Sequence, residues 1–191
     1  MIRIAILAAA AALLLAGCSA APVANDSATG NVTVATADAS GWDRAFRPDV
    51  AVDAANQFGF RASPYQVAGT EYRTQGGPVM LSNSFDKKPN QIAFKGYGVT
   101  ADRLDAMSFD LTINDVDNAV KVRKHFANIV RDVLFQSKID ASAVHDAIAK
   151  GEAAKGDLAG TYYQVIKTPK QGAEHLTVTF NRTGASAPAN S

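Results

Sequence analysis

The stretch MSFDLTINDVDNAVKVRKHFANIVRDVLFQS, residues 107–137, holds the two elements that decide the fold. In its first part polar residues alternate with apolar ones, which are Met107, Phe109, Leu111 and Ile113. This alternation is typical of a strand with one buried face. The remainder predicts an amphipathic helix that begins behind Asn114 or Asp115 as N-cap and ends near Ser137. A strand that runs directly into such a helix indicates a sheet covered by helices.

Outward from this stretch, the same two periodicities predict the other elements. The other expected helices are 49–58, entered by Pro48, and a second one from Asp140 as N-cap to Gly151. The expected strands are 79–85, 91–97 and 103–113, followed by a hairpin of 161–168 and 174–181. The segment 60–77 is long for a connection without secondary structure, and a short edge strand is expected within it near 66–72.

The resulting element order is α-β-β-β-α-α-β-β, in which helices and strands do not alternate singly. That order predicts the α+β class, with an antiparallel sheet of about five strands and helices packed on one face. The outward strand positions are polar, so the other face is expected to meet water. One domain is expected at 41–182, between a flexible tether at 18–40 and a disordered tail at 183–191.

The N-terminus joins a basic residue, Arg3, to an apolar run from Ile4 to Leu15. The run is too short for a membrane-spanning helix, which needs about 20 residues, and is therefore typical of a removed signal. It closes with Leu15-Ala16-Gly17-Cys18, which contains the only cysteine of the chain.

This N-terminus resembles that of a bacterial lipoprotein precursor, and the resemblance does not extend into the domain. It implies that residues 1–17 are a signal peptide cleaved between Gly17 and Cys18, and that Cys18 carries diacylglycerol and palmitate as a membrane anchor. Two or more acyl chains hold far more firmly than one. Ser19 stands where an aspartate would imply inner-membrane retention, so the implied location is the outer membrane of the cell envelope, facing the periplasm. A secreted protein with a stray thiol and an uncleaved signal anchor are the alternatives.

The charge balance excludes one class of partner. Lys and Arg number 19 against 18 Asp and Glu, a formal net charge of +1 that falls to zero when Arg3 leaves with the signal. Nucleic-acid binding needs clustered Lys and Arg, which the sequence lacks, so no nucleic-acid partner is expected. A single cysteine that carries lipid leaves no disulfide.

Motifs of catalysis and of metal or cofactor binding do not occur in the sequence. It contains no G-x-S-x-G, H-E-x-x-H, Walker or G-x-G-x-x-G pattern. The histidines, His125, His145 and His175, are predicted on separate elements, so they do not suggest a zinc site. The sequence therefore predicts no catalytic residue, metal or cofactor, and favours a protein that is not an enzyme.

Arg123 breaks the apolar pattern of the long helix. On a helical wheel it falls within the half that holds Val116, Ala119, Val120, Val122, Phe126, Ala127, Ile129, Val130, Val133 and Leu134. A guanidinium at such a position must be paired or must reach solvent. Either it pairs with a strand carboxylate such as Asp105, or it receives a carboxylate or phosphate of a ligand.

A second group of candidate binding residues lies in the aperiodic segment 60–77. It contains Tyr65, Tyr72 and Arg73. Loops on a rigid scaffold carry many binding sites, and aromatic and arginine side chains are enriched at interface cores. Together with Arg123, these residues are the predicted binding set.

These features favour a membrane-anchored, non-catalytic envelope lipoprotein that binds an envelope protein, a peptide or a glycan. Two alternatives stay open. One is an envelope hydrolase whose catalytic residues form no local motif. The other is a carrier of a lipid or small apolar ligand between helices and sheet. A deep pocket with convergent titratable groups would favour the enzyme, and a groove would favour the binding module.

Overall fold

The chain forms four α-helices and seven β-strands in the part that the computed structural model describes, residues 41–81, 88–170 and 173–182. The helices are α1 Trp42–Ala45, α2 Pro48–Gln57, α3 Ala119–Phe135 and α4 Ser142–Lys150. The strands are β1 Gln66–Ala68, β2 Glu71–Met80, β3 Gln91–Gly98, β4 Ala106–Ile113, β5 Ala154–Leu158, β6 Thr161–Lys170 and β7 Ala173–Asn181. The expected signal with Gly17 and Cys18, the tether and the tail lie outside the described residues.

All seven strands belong to one antiparallel sheet in the order β1-β2-β3-β4-β7-β6-β5. β1 to β4 are neighbours in chain order, and β7 to β5 are neighbours in reverse chain order. The two groups meet only where β4 pairs with β7, in a register that places Phe109 opposite Val178. The helices α3 and α4 occupy the chain between these groups.

One face of the sheet is packed against the helices. Its fully buried side chains come from the central strands and are Ile92, Phe94, Phe109, Leu111, Ile113, Val165, Leu176, Val178 and Phe180. The helices cover them with Ala51, Ala54, Ala55, Val122, Phe126, Val130, Leu134, Val144 and Ile148. The mixed α+β class with an antiparallel sheet is thus confirmed.

The predicted strand count of about five and the order α-β-β-β-α-α-β-β are wrong, because the sheet has seven strands. Where one edge strand was predicted near 66–72, the structure has β1 and the first residues of β2, which form a hairpin. The strand predicted at 79–85 overlaps the last residues of β2, and residues 82–87 lie outside the described part of the chain. β5 and the short helix α1 were not expected. Most side chains of β1, β2 and β5 are exposed or half-buried, so these strands have no hydrophobic period that a sequence could show.

The start of the long helix also differs from the prediction. A 3-10 turn, Val116–Asn118, precedes α3, and Asn118 is the N-cap. The side-chain oxygen of Asn90 accepts hydrogen bonds from the N–H groups of Asn114 and Asp115, at 2.7 and 2.8 Å. Val116 is 60% exposed, contrary to the wheel, because a 3-10 turn has 3.0 residues per turn, which shifts the phase of the pattern. Val120 is exposed as well.

Several local predictions are confirmed. Pro48 occupies the first turn of α2, where its missing N–H costs no hydrogen bond. Gly151 ends α4 in the left-handed conformation, with φ 71° and ψ 35°, as glycine does at this position. In the last strand Leu176, Val178 and Phe180 are buried, as the alternation requires.

Candidate functional site

The face of the sheet opposite the helices is the candidate site, and we call it the open face. Pairing register brings residues from distant parts of the chain into line across it. One such line, the transverse row, consists of Gln75, Lys95, Ser108, Thr179 and Gln164. Because neighbouring strands lie about 4.8 Å apart, the row from β2 to β7 spans about 14 Å.

A concavity of about 380 Å³ lies on the open face over β2, β3, β4 and β7. The side chains that line it from the open face include Arg73, Lys95, Tyr97, Ser108, Asp110 and Thr177. Ser108, Asp110 and Thr177 are half-buried, whereas Arg73 and Lys95 are exposed. The floor therefore includes hydroxyl and carboxylate groups beside apolar surface at Ala106 and Met107, and cationic side chains lie at its β2–β3 side.

The charges of the concavity are largely paired with one another. Lys95 Nζ lies 3.0 Å from Asp110 Oδ2, and Thr177 Oγ1 donates a 2.8 Å hydrogen bond to Asp110 Oδ1. Arg73 pairs with Glu71 at 2.9 Å. A ligand on this face would thus meet neutral ion pairs and hydroxyl groups beside apolar surface, which suit a ligand with both hydrogen-bonding groups and an apolar face.

Tyr97 adds an aromatic side chain beside the row. Burial, assisted by the negative charges of Asp105 and Glu71, raises the pKa of Tyr97 to about 12. The phenol is therefore uncharged at neutral pH. An aromatic ring with a neutral hydroxyl offers both an apolar face and a hydrogen-bonding group to a ligand.

A second concavity of about 390 Å³ adjoins the first at Gln75 and Lys95, and it is also lined by Arg61 and Ser63. The segment before β1 runs close beside β2 here. A Cβ at Gly76 would lie 2.8 Å from the carbonyl oxygen of Phe60, so only glycine permits this approach. The Ser63 N–H donates to the Gln75 carbonyl at 2.9 Å and fixes the segment on the sheet. We call the two concavities together the groove.

The predicted binding residues do not come together. Arg73 lies on the open face beside Tyr97, its partner in β3. Tyr72 points to the other face, where its ring stacks on Tyr65 with centroids 5.6 Å apart. Tyr65 donates hydrogen bonds to the carbonyls of Thr100 and Arg103, at 3.1 and 3.0 Å. The tyrosine pair therefore braces the end of the sheet.

Arg123 is an internal ion-pair residue on the helix side of the sheet. Its Nη1 donates to Glu174 Oε1 at 3.0 Å, and Lys167 Nζ lies 3.0 Å from Glu174 Oε2. The prediction that Arg123 pairs with Asp105 is wrong, because Asp105 pairs with Arg182 instead. The stem of Arg123 crosses Gly151, where a Cβ would lie 2.8 Å from Arg123 Cδ. Sequence reasoning missed Glu174 because it is distant from Arg123 in the chain. Only the assembly of the sheet brings β7 close to α3.

Metal ligands do not cluster in the described residues, in which no group of three or more His, Cys, Asp or Glu could hold an ion. His145 contacts Asn128 and Asp146, at 3.1 and 3.2 Å, and His175 contacts Thr112 at 3.2 Å. Across 41–81, 88–170 and 173–182, none of the helices is long and apolar enough to cross a membrane.

The residues of the groove were only partly foreseeable. Lys95, Ser108, Asp110, Thr177 and Thr179 are the polar positions of alternating strands, and the alternation itself places them on the open face. Arg61 carries no such signal, because it lies in a segment without a period. No protein-family model matches the chain, and neither a curated protein nor a solved structure matches it.

Proposed function

We propose that this protein is a non-catalytic binding module of the bacterial envelope, held to the membrane by lipid on Cys18, and that its ligand lies in the groove of the open face. The observation that carries the proposal is the groove itself, in which polar side chains from strands β2, β3, β4 and β7 converge. Concave sites with a few convergent polar groups are where proteins bind ligands.

Two observations favour a binding module over the alternatives. A hydroxyl–imidazole contact exists on the open face between Thr112 and His175 at 3.2 Å, but no carboxylate in the described ranges orients this imidazole, as a nucleophile–base pair requires. Between the helices and the sheet, the space beside Phe94 and Val133 amounts to about 10 Å³. Ligand pockets measure about 300–1,000 Å³, so this gap does not suit a lipid carrier.

The membrane anchor rests on Leu15-Ala16-Gly17-Cys18, and outer-membrane sorting rests on Ser19. We expect Cys18→Ser to abolish membrane attachment and to leave the signal uncleaved, because the thiol that accepts the diacylglycerol is lost. Cells fed a palmitate analogue and fractionated into soluble and membrane pools provide the measurement. Equal labelling of wild type and Cys18→Ser would contradict the anchor.

The ligand site is tested by placing a photoreactive amino acid at Ser108, in the centre of the transverse row, in the full chain inside cells. We expect irradiation to produce covalent adducts from this position. The matched control is the same amino acid at Lys124, an exposed position of α3 on the helix side. Adducts of equal yield from both positions, or none from Ser108, would refute the open face as the binding site.

A further inference from the structure

Arg61 differs from the other arginines in the part of the chain that the structure describes. Every other described arginine has an ion pair, a hydrogen bond or another electrostatic contact. Within 41–81, 88–170 and 173–182, the guanidinium of Arg61 has none, and it is exposed at the rim of the groove. A planar guanidinium with free donors is suited to binding a carboxylate or phosphate through two hydrogen bonds.

The backbone holds Arg61 in a conformation that few non-glycine residues adopt, with φ 51°. Hydrogen bonds on both sides impose this geometry. The Phe60 carbonyl accepts from the Gly77 N–H at 2.6 Å, and the Ala62 N–H donates to Asn56 Oδ1 at 2.6 Å. Unusual backbone conformations of this kind persist where the surrounding contacts enforce them, often at functional sites.

The groove carries one uncompensated positive charge among its described residues. Asp110 neutralises Lys95 and Glu71 neutralises Arg73. The charge of Arg61 is left over at the end of the groove beyond Gln75. From there the transverse row continues with the amide of Gln75 and the hydroxyls of Ser108 and Thr179. A complementary ligand is therefore rich in hydroxyl or amide groups and carries an anionic group at one point.

We propose that the groove binds a glycan that carries carboxylate groups, with one carboxylate on Arg61 and the sugar hydroxyls along the transverse row. This inference rests on the proposed binding function and specifies its ligand. Hydroxyl and amide side chains match the donors and acceptors of sugars. The neutral ring of Tyr97, beside the row, provides the apolar surface on which a sugar ring packs.

The test compares the affinities of two soluble oligosaccharides for the full chain, which is kept in detergent micelles. One probe is a glycan strand of alternating N-acetylglucosamine and N-acetylmuramic acid, freed of peptide so that each lactyl carboxylate is exposed. The other is an N-acetylglucosamine oligomer of equal length, which lacks these carboxylates. Calorimetric titration is expected to show about tenfold tighter binding of the acidic strand, the difference that a charge-assisted pair of hydrogen bonds provides.

Arg61→Gln is expected to remove this preference, and Arg61→Lys to retain part of it. Arg131→Gln serves as the matched control, because Arg131 is an exposed arginine of α3 that pairs with Asp132. It should bind both probes as the wild type does. Equal affinity of the wild type for the two probes, no binding of either, or an equal loss in Arg131→Gln would overturn the proposal. If the photoreactive residue at Ser108 still formed adducts, the proposed binding function would be retained and only the proposal of an acidic glycan as ligand would be rejected.

Discussion

Asp105→Ala is expected to lower the free energy of unfolding by about 3 kcal/mol. Asp105 is 4% exposed. Its carboxylate accepts hydrogen bonds from Arg182 Nη2 and, at 2.9 Å, from the Val99 N–H. Removing one partner of a buried ion pair costs about 3–5 kcal/mol because the other charge is left unpaired. The lower end applies here, since the Arg182 side chain is 35% exposed and can partly rehydrate.

Chemical denaturation of the full chain in detergent measures this loss. Asp132→Ala is the matched control, because Asp132 forms an ion pair with Arg131 whose two side chains are about half exposed. Exposed pairs contribute about 0–1 kcal/mol, so this variant should remain near the wild type. A loss of less than 1 kcal/mol for Asp105→Ala would show that the Arg182 pair does not hold the β3–β4 turn to the end of β7.

Arg123→Ala is expected to lower the free energy of unfolding by about 2 kcal/mol, since a hydrogen bond to a charged group contributes about 1.5–3 kcal/mol. The side chains of Arg123 and Glu174 are only 14% and 19% exposed. Glu174 keeps Lys167 as a second partner, which limits the loss. Arg123→Met retains the stem that packs on Gly151 and should cost less. Equal or greater stability of Arg123→Ala would contradict the pairing.

The loss in Arg123→Ala should also depend on pH. Burial raises the pKa of Glu174, but the hydrogen bonds from Lys167 and Arg123 outweigh it and hold the pKa below its ordinary value of 4.5. The stabilisation is therefore fully present above pH 4.5 and disappears as the pH falls through the lowered pKa. Denaturation curves in acid should accordingly converge for wild type and Arg123→Ala, with Lys121→Ala as a control on the same helix.

Periodic segments account for the elements that the sequence predicted well. β4 alternates from Met107 to Ile113, and α3 carries an apolar stripe from Val122 to Leu134, so each pattern indicates one type of element. β5 was missed, and β1 and β2 were predicted only in part, because these strands lie at the two ends of the sheet. Their stability comes from backbone pairing with an inner strand rather than from side-chain burial, and backbone pairing leaves no trace in the residue pattern.

The site was predictable in composition but not in arrangement. Alternation indicates that Asp110 and Thr177 both point to the open face. Their contact at 2.8 Å, however, depends on the pairing of β4 with β7 across more than 60 intervening residues, and no local pattern specifies that pairing. Arg123 was correctly identified as a residue that needs a partner, whereas the identity of Glu174 depends on the same distant pairing.

The strand order has a consequence for how the chain folds. Within the group β1 to β4, and likewise within the group β5 to β7, each strand pairs with its neighbour in sequence, so each group closes short loops. The β4–β7 junction is the single long-range pairing among the described strands, and forming it requires closing the whole α3–α4–β5–β6 segment. Loop-closure entropy grows only slowly with length, by about 0.6 kcal/mol for each doubling. This topology therefore favours a folding route in which each group of strands forms first and the two groups pair later through β4 and β7.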